Sequence, residues 1–487
     1  MTPLRKTKIV VTLGPALDKP DMLKRVILSG ATVFRANFSH GDMQTHERRI
    51  NLVRDIATRL NKIVAILVDL QGPKIRIGRF KNTKIQLKEG QEFILDTTLD
   101  GDSGDEQKVG LDYKNLTRDV HEKDILLLDD GRIELIVNRV DTARIYCTVV
   151  TAGELSNHKG INRKGGGLSA NALTDKDRED IKTAARLKAD YLAISFPRNA
   201  DDIKEARILV TSAGSQAGII AKIERTEAVQ NAEEIIRASD AIMIARGDLG
   251  VEIGDAELPA LQKRFIRLSR SLHKAVITAT QMLETMTYNT IPTRAEVSDV
   301  ANAVLDGTDA VMLSGETAVG KYPDKAVAAM DRICLSAEKH LSKKIFHSRQ
   351  EPHFHNVDEA IAMATMYTAN HLDIKAIISL TESGSTPLWM SRVRSSIPIY
   401  GLSRNAPTLR RMTLYRGVYP IHFDATHIDR RILNLEAVSA LENQGILQKG
   451  DLVIVTKGDL IGIHGRTNSL KIVSVGNLPN YIDTSAT

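Results

Sequence analysis

Eight short apolar runs, separated by stretches with helical spacing, constrain this 487-residue chain more than any other feature. They are TKIVVTL (7–13), TVFRANF (32–38), IVAILVDL (63–70), DYLAISF (190–196), GIIAKIE (218–224), DAIMIARGD (240–248), AVITATQ (275–281) and DAVMLSGE (309–316). Each is near-continuous and rich in Ile and Val, the pattern of parallel strands buried on both faces. Segments between them, such as 21–29 and 45–60, carry apolar residues at helical spacing. Eight alternating units predict a closed (β/α)8 barrel, with an open doubly wound sheet as the alternative that pattern alone leaves standing.

Residues 71–189 intervene between the third and fourth runs, too many for one crossover helix. Within them, KIRIGRF, TKIQL, EFILD, ILLLDDGRIELIV and RIYCTVV are short alternating runs broken by EG, DG and GD turn signals. This predicts a small all-β domain over 73–168, inserted into a barrel formed by 1–72 and 169–343. The insertion begins at Gln71-Gly72-Pro73 and ends in NHKGINRKGGG (157–167), two hinge-like crossings that suit a mobile lid. After the eighth run the βα pattern restarts, which predicts a third, open-sheet α/β unit over 344–487.

Composition narrows the function classes. Hydrophobic residues at 42% and charged residues at 26% are ordinary for a globular protein, and 4% aromatic residues weaken any reading built on base stacking. A net charge of +6 suits small anionic substrates at least as well as nucleic acid. Two distant cysteines, Cys147 and Cys334, allow no disulfide framework and fit a reducing cytoplasm. No signal-peptide or membrane-spanning run is visible, so a cytoplasmic protein without nucleic-acid or membrane partners is expected.

In a (β/α)8 barrel, chemistry gathers at the C-terminal ends of the strands. Polar residues fall there repeatedly: Arg35, Asn37, Ser39 and His40; Asp69; Lys222 and Glu224; Arg246, Gly247 and Asp248; Thr278 and Thr280; Ser314 and Glu316. The strand beginnings carry little of comparable character. A structural ion pair is the bland reading of Lys222 and Glu224, but two neighbouring runs ending alike weaken it. Glu224 and Asp248 offer hard oxygen ligands for Mg2+ or Mn2+. Lys222 adds a fixed positive charge beside them, and Arg35 can clamp a phosphate. The Gly247 and Asp248 amides can hold a carboxylate or phosphate at a helix start. Thr280 is a candidate for a proton path. His40 reads as a loop hydrogen-bonder. The TESGSTP loop (381–387) reads either as a phosphate cradle or as a simple helix start.

Taken together, TKIVVTLGPA (7–16), RANFSHG (35–41), VDLQGPKIR (68–76), IIAKIERTEAV (219–229), IMIARGDLGVEI (242–253), ITATQMLETM (277–286) and TRAEVSDVANAVLDGTDAVMLSGETA (293–318) resemble pyruvate kinase. The resemblance spans the whole chain. It implies a (β/α)8 TIM barrel, an inserted β-barrel lid and a C-terminal α/β regulatory domain, joined in a homotetramer. It also implies phosphoryl transfer from phosphoenolpyruvate to ADP, giving pyruvate and ATP in the last step of glycolysis.

By motif match, Lys222 would stabilise the transferring phosphoryl group and the enolate, and Arg35 would hold the phosphate. Glu224 and Asp248 would carry Mg2+, while Gly247, Asp248 and Thr280 would take the substrate carboxylate. Asn37, Phe38, Ser39, His40, Arg76 and Lys159 match the nucleotide site. Asn37, Ser39, Asp69 and the Leu70 carbonyl match a monovalent-cation site. This chain has Lys74 where many relatives have Glu, and relatives with Lys there tend not to need K+, so K+ independence is expected. Thr381, Ser383, Gly384, Ser385, Thr386 and Arg466 match an effector site for a phosphorylated metabolite. Ser385-Thr386 lacks the Arg or Lys of some relatives, which weighs against fructose 1,6-bisphosphate. Two rival readings are a Mg-dependent, enolate-forming lyase or aldolase on the same barrel, and a non-catalytic metabolite sensor or RNA binder.

Overall fold

A computed structural model describes residues 4–340, 354, 356–459, 465 and 467–476. All eight apolar runs form strands: Lys8–Thr12, Val33–Asn37, Ala65–Asp69, Tyr191–Ile194, Gly218–Ile223, Ala241–Ala245, Ala275–Ala279 and Ala310–Leu313. They are parallel, lie in sequence order around a closed barrel, and close where Lys8 pairs with Ala310. Helices cover the outside. Inward-facing Val10, Val33, Leu67, Tyr191, Ile220, Met243, Ile277 and Met312 fill the interior, so the barrel is a packed core and only its rim can bind.

The insertion follows the third strand, as the spacing predicts. Its strands form a six-stranded sheet (Ile161–Arg163, Ile125–Leu128, Ile133–Val140, Arg144–Thr151, Glu92–Asp96, Lys108–Gly110) and a two-stranded ribbon of Lys84–Leu87 with Gly153–Ser156. Sheet and ribbon wrap one apolar core of their own, which includes Phe80, Phe93, Leu126, Leu135 and Val149. The C-terminal unit is a five-stranded sheet in the order Val418–His422, Ile399–Ser403, Ile374–Leu380, Leu452–Gly458, Thr467–Ser474, with only the last strand antiparallel. Val418–His422 is an edge strand that carries Pro420. Among the described residues, no helix is long and apolar enough to cross a membrane.

One expectation fails here. The strand beginnings are not poor in polar groups. Asp190 and Asp309, each the first residue of its run and just ahead of the strand, are buried and accept the Ile66 and Val276 backbone N–H at 2.8 and 3.0 Å. The same carboxylates receive Arg410 and Arg392 from the C-terminal unit. Leu414 of that unit joins the barrel core, so the C-terminal unit closes the barrel's N-terminal end. An Asp at the head of an apolar run reads as a loop residue in sequence, and only the docked unit buries it. The opposite, C-terminal end is left for the lid.

Candidate active site

Asp69 ends the third strand and organises the mouth. It is fully buried. Arg35 Nε donates to Asp69 Oδ2 at 2.7 Å, and Lys222 Nζ lies 3.3 Å from Asp69 Oδ1. Burial alone would raise the Asp69 pKa, but the Lys222 and Arg35 charges outweigh it and hold the carboxyl below its ordinary range. Lys222 and Glu224 stand two residues apart at the end of one strand and so share a face. Lys222 Nζ reaches Glu224 Oε1 at 2.8 Å and donates to Ser195 Oγ at 2.8 Å. Burial would lower Lys222, yet Asp69 and Glu224 raise it, so it remains a fixed ammonium. A lysine held that way is a poor Schiff-base nucleophile, which counts against the aldolase reading.

Glu224 is fully buried, and its Oε2 accepts the Phe196 N–H at 2.9 Å. Burial raises its pKa, and the nearby charges of Asp248 and Asp69 add to that, against Lys222. Its Oε1 has no hydrogen-bond partner beyond the Lys222 ion pair. A buried carboxylate with an unsatisfied oxygen beside a second carboxylate fits a divalent cation. Among the described residues, no group of three or more Asp, Glu, His or Cys is placed to hold a metal ion by itself, so protein oxygens would fill only part of the shell. That matches Mg2+, which keeps waters and takes oxygens from a phosphorylated substrate.

The sixth strand runs straight into the helix Arg246–Ile253, whose first turn carries Gly247 and Asp248. The Gly247 N–H donates to Thr280 Oγ1 at 2.9 Å, and the Thr280 hydroxyl donates to the Ala279 carbonyl at 2.6 Å. Thr280 and Gln281 both have positive φ, 68° and 54°. That is a strained pair, most of all at a β-branched residue. Arg246 holds it: Nη2 donates to the Thr280 carbonyl at 2.7 Å, while the guanidinium is paired to both oxygens of Asp299 at 2.6 and 2.7 Å.

The lid brings its own charges. Lys74 Nζ donates to Asp248 Oδ1 at 2.9 Å and lies 3.8 Å from Asp130. Lys159 pairs with Asp129 at 2.7 Å, and Arg76 Nη1 donates to the His158 carbonyl at 2.9 Å. Lys74 therefore neighbours Asp248 and makes no described contact with Asn37, Ser39, Asp69 or Leu70. Those groups are engaged otherwise: Asn37 Oδ1 accepts the Ser39 N–H, the Asp69 carbonyl accepts the Phe38 N–H, and the Leu70 carbonyl accepts Ser195 Oγ. His40 is lowered by burial, with Arg76, Arg35 and Lys74 adding to it. The His40 backbone carbonyl is bonded to His46 Nε2 at 2.8 Å.

The barrel thus gathers Arg35, Asp69, Lys222, Glu224, Gly247, Asp248 and Thr280, with Lys74 above them. Other residues expected at the mouth turn elsewhere. Thr278 bonds Thr308 inside the barrel wall, and Glu316 accepts the Leu283 and Ser314 N–H groups as a loop pin. Ser195 and Phe196, which touch Lys222 and Glu224, were missed. The only sequence signal was a lone serine closing an apolar run, DYLAIS. In the C-terminal unit, Thr381, Ser383, Ser385 and Thr386 line a cavity with Arg404, Lys457 and Thr467. Gly384, at φ 85°, turns the loop and donates its N–H to Thr381 Oγ1. Arg466 lies outside the described residues.

Two family models match: pyruvate kinase, barrel domain, over residues 4–327, and pyruvate kinase, alpha/beta domain, over 359–473. Pyruvate kinase II of Salmonella typhimurium is 56% identical over 476 residues, covering 97% of this chain and 99% of that protein. The pyruvate kinase of Haemophilus influenzae is 54% identical over 460 residues, covering 93% and 96%. The crystal structure of a pyruvate kinase from Cryptosporidium parvum superposes with a TM-score of 0.91 at 34% identity, covering 96% of each chain.

Proposed function

The chain belongs to the pyruvate kinase family, and from that premise we propose how its own residues carry the reaction. It is a phosphotransferase that moves the phosphoryl group of phosphoenolpyruvate to ADP, giving pyruvate and ATP; the lyase alternative finds no support in these likenesses. The observation that carries the residue assignment is the Lys222 ammonium, held between Glu224 and Asp69 at the barrel mouth.

Phosphoryl transfer asks mainly for positioning and charge neutralisation. Arg35 and Lys222 bind the phosphoryl oxygens, and Lys222 stays beside the enolate oxygen as its charge develops. The first-turn amides of the Arg246–Ile253 helix, with the Thr280 hydroxyl, bind the substrate carboxylate. Thr280 belongs to the path that brings a proton to the enolate carbon. Glu224 and Asp248 would hold Mg2+, or Mn2+, which when bound adds positive charge against the phosphoryl oxygens. Asn37, Phe38, Ser39, His40, Arg76 and Lys159 bind the nucleotide, and a closing lid excludes water. The division into 1–72 with 169–343, 73–168 and 344–487 is supported by three separate sets of apolar cores; the 343/344 boundary lies outside the described residues.

K+ independence is part of this reading. The Lys74 ammonium lies on Asp248 rather than among Asn37, Ser39, Asp69 and Leu70. It would replace the monovalent cation by charge near the substrate phosphate, not by filling the same spot. The cavity lined by Thr381, Ser383, Ser385 and Thr386 is a site for a phosphorylated effector, with Arg404 and Lys457 supplying cations that the loop itself lacks. A cytoplasmic location and the absence of nucleic-acid and membrane partners complete the reading.

The test is ATP formation from phosphoenolpyruvate and ADP, with and without Mg2+, in K+ against tetramethylammonium at matched ionic strength. Metal-dependent turnover equal in both salts is expected. No turnover with Mg2+ present would sink the function, and strong activation by K+ would sink the Lys74 reading.

A further inference from the structure

The helix Arg246–Ile253 has two ends with different surroundings. Its first turn presents Gly247 and Asp248 to the mouth. Its last turn carries Glu252, one helical turn beyond Asp248 and therefore on the same side. Glu252 is 5% exposed. Its Oε2 accepts the Thr226 N–H at 3.0 Å, its Oε1 faces Asn162 Nδ2 at 3.4 Å, and its backbone carbonyl accepts the Gly165 N–H at 3.2 Å.

Two of those three partners belong to the segment by which the chain returns from the lid. Asn162 lies in the last lid strand, Ile161–Arg163, and Gly165 opens a run of three glycines at φ 85°, 79° and 90°. The Gly167 N–H continues to Glu227 Oε1. The third partner, Thr226, follows Glu224 by two residues. The returning hinge is thus bonded to the two short segments that bear Glu224 and Asp248.

We propose that Glu252 is a positioning residue that couples the lid's returning hinge to the helix bearing Gly247 and Asp248, so that lid closure and placement of the anion-binding turn are one movement. The proposal rests on the assignment of Gly247 and Asp248 to the substrate carboxylate and the divalent cation. Three features support it. An eight-residue helix spans only about 12 Å, so a shift at Glu252 is carried to Gly247 with little loss. A carboxylate this buried is costly unless bonded, and its bonds run to the hinge and to the Glu224 segment. Burial, then the neighbouring Glu227 carboxylate, push its pKa up to about 7 against Thr226, Arg225 and Asn162, as expected of a carboxylate enclosed between the hinge and the helix.

The test uses the full chain with Glu252→Ala, Glu252→Gln and Asn162→Ala. Amide hydrogen exchange of residues 162–167 is measured with and without phosphoenolpyruvate and Mg2+, beside KM and kcat. In the wild type the ligands should slow exchange at the hinge. E252A should abolish that slowing and raise the phosphoenolpyruvate KM about ten- to a hundredfold, with less change for ADP. E252Q, which keeps an acceptor for the Thr226 N–H, should retain most of the coupling. N162A should reproduce the uncoupling from the lid side, and it decides the matter alone if E252A does not fold.

Wild-type hinge protection and KM in E252A or N162A would overturn the proposal. So would equal losses in E252A and E252Q that track a lower Tm while ligand-linked protection persists, because that is a purely structural role. A wild type that makes no ATP from phosphoenolpyruvate would overturn the parent reading together with this one, whereas an active wild type with no ligand effect at the hinge would overturn this one alone.

Discussion

Lys222 shows how much one buried cation can settle. Its ammonium meets Ser195, Glu224 and Asp69 at once, so replacing it removes the counter-charge of two fully buried carboxylates. Lys222→Met should lower turnover by about three orders of magnitude or more. It should also lower Tm while preserving the far-UV circular dichroism, because breaking a buried pair costs about 3–5 kcal/mol. Turnover within tenfold of wild type would remove Lys222 from the mechanism.

Glu252 makes a second prediction at this scale. Its folded pKa of about 7 lies above the ordinary 4.5, so the folded chain keeps a proton that the unfolded chain has released between those values. The stability this contributes is complete below the unfolded value and is lost as pH rises through the folded one. The groups facing it are Glu227, Arg225, Thr226 and Asn162. Gln cannot titrate, so the stability of wild type relative to E252Q should fall from pH 5 to 8 by on the order of 2 kcal/mol. Denaturant melts at both pH values check the sign; a constant difference would contradict it.

Among elements, the lid and its two crossings stand over the mouth, with Lys74 on Asp248. The outgoing crossing turns at Gly72, at φ 66°, with its N–H bonded to Asp177 at 3.1 Å. A Cβ there would sit 2.7 Å from the Ser195 Cβ, and Ser195 supports Lys222. Gly72→Ala therefore carries backbone strain of about 1–3 kcal/mol and also pushes on a group that orients the Lys222 ammonium. Its kcat should fall about tenfold or more while the Tm drops only a few degrees. An unchanged kcat with the same Tm loss would mean that the crossing and the lysine are independent.

At the scale of the whole molecule, two groups of exposed apolar side chains stand out among the described residues. Tyr288, Ile291 and Val319 are 70%, 72% and 64% exposed on the barrel, near the loop after the seventh strand. On the C-terminal unit, Val357 and Tyr367 of the helix Val357–His371 are 66% and 67% exposed, beside the strand Thr467–Ser474. Two separate exposed apolar groups would suit the homotetramer that the family resemblance implies. If the chain assembles in that way, Ile291→Asp should leave dimers held through the other group, read by light scattering on a sizing column. A wild-type monomer would refute the assembly.

The sequence by itself determined the eight strands, the insertion after the third and the restart of the βα pattern, while their closure into a barrel rather than an open sheet was decided by the structure. It also marked Arg35, Lys222, Glu224, Asp248 and Thr280 as the groups at the strand ends. Strand burial and period are local properties, written in runs of Ile and Val, and a charge that ends such a run is conspicuous. Tertiary structure alone decided the rest. Ser195 matters only because the fourth strand lies between the third and the fifth, which brings it within 2.8 Å of Lys222. Asp190 and Asp309 became buried clamps only when the C-terminal unit docked. Lys74 met Asp248, and Glu252 met Asn162, only through the lid's placement over the barrel. Each of these pairs joins residues far apart in the chain, where a contact leaves no periodic trace in the sequence.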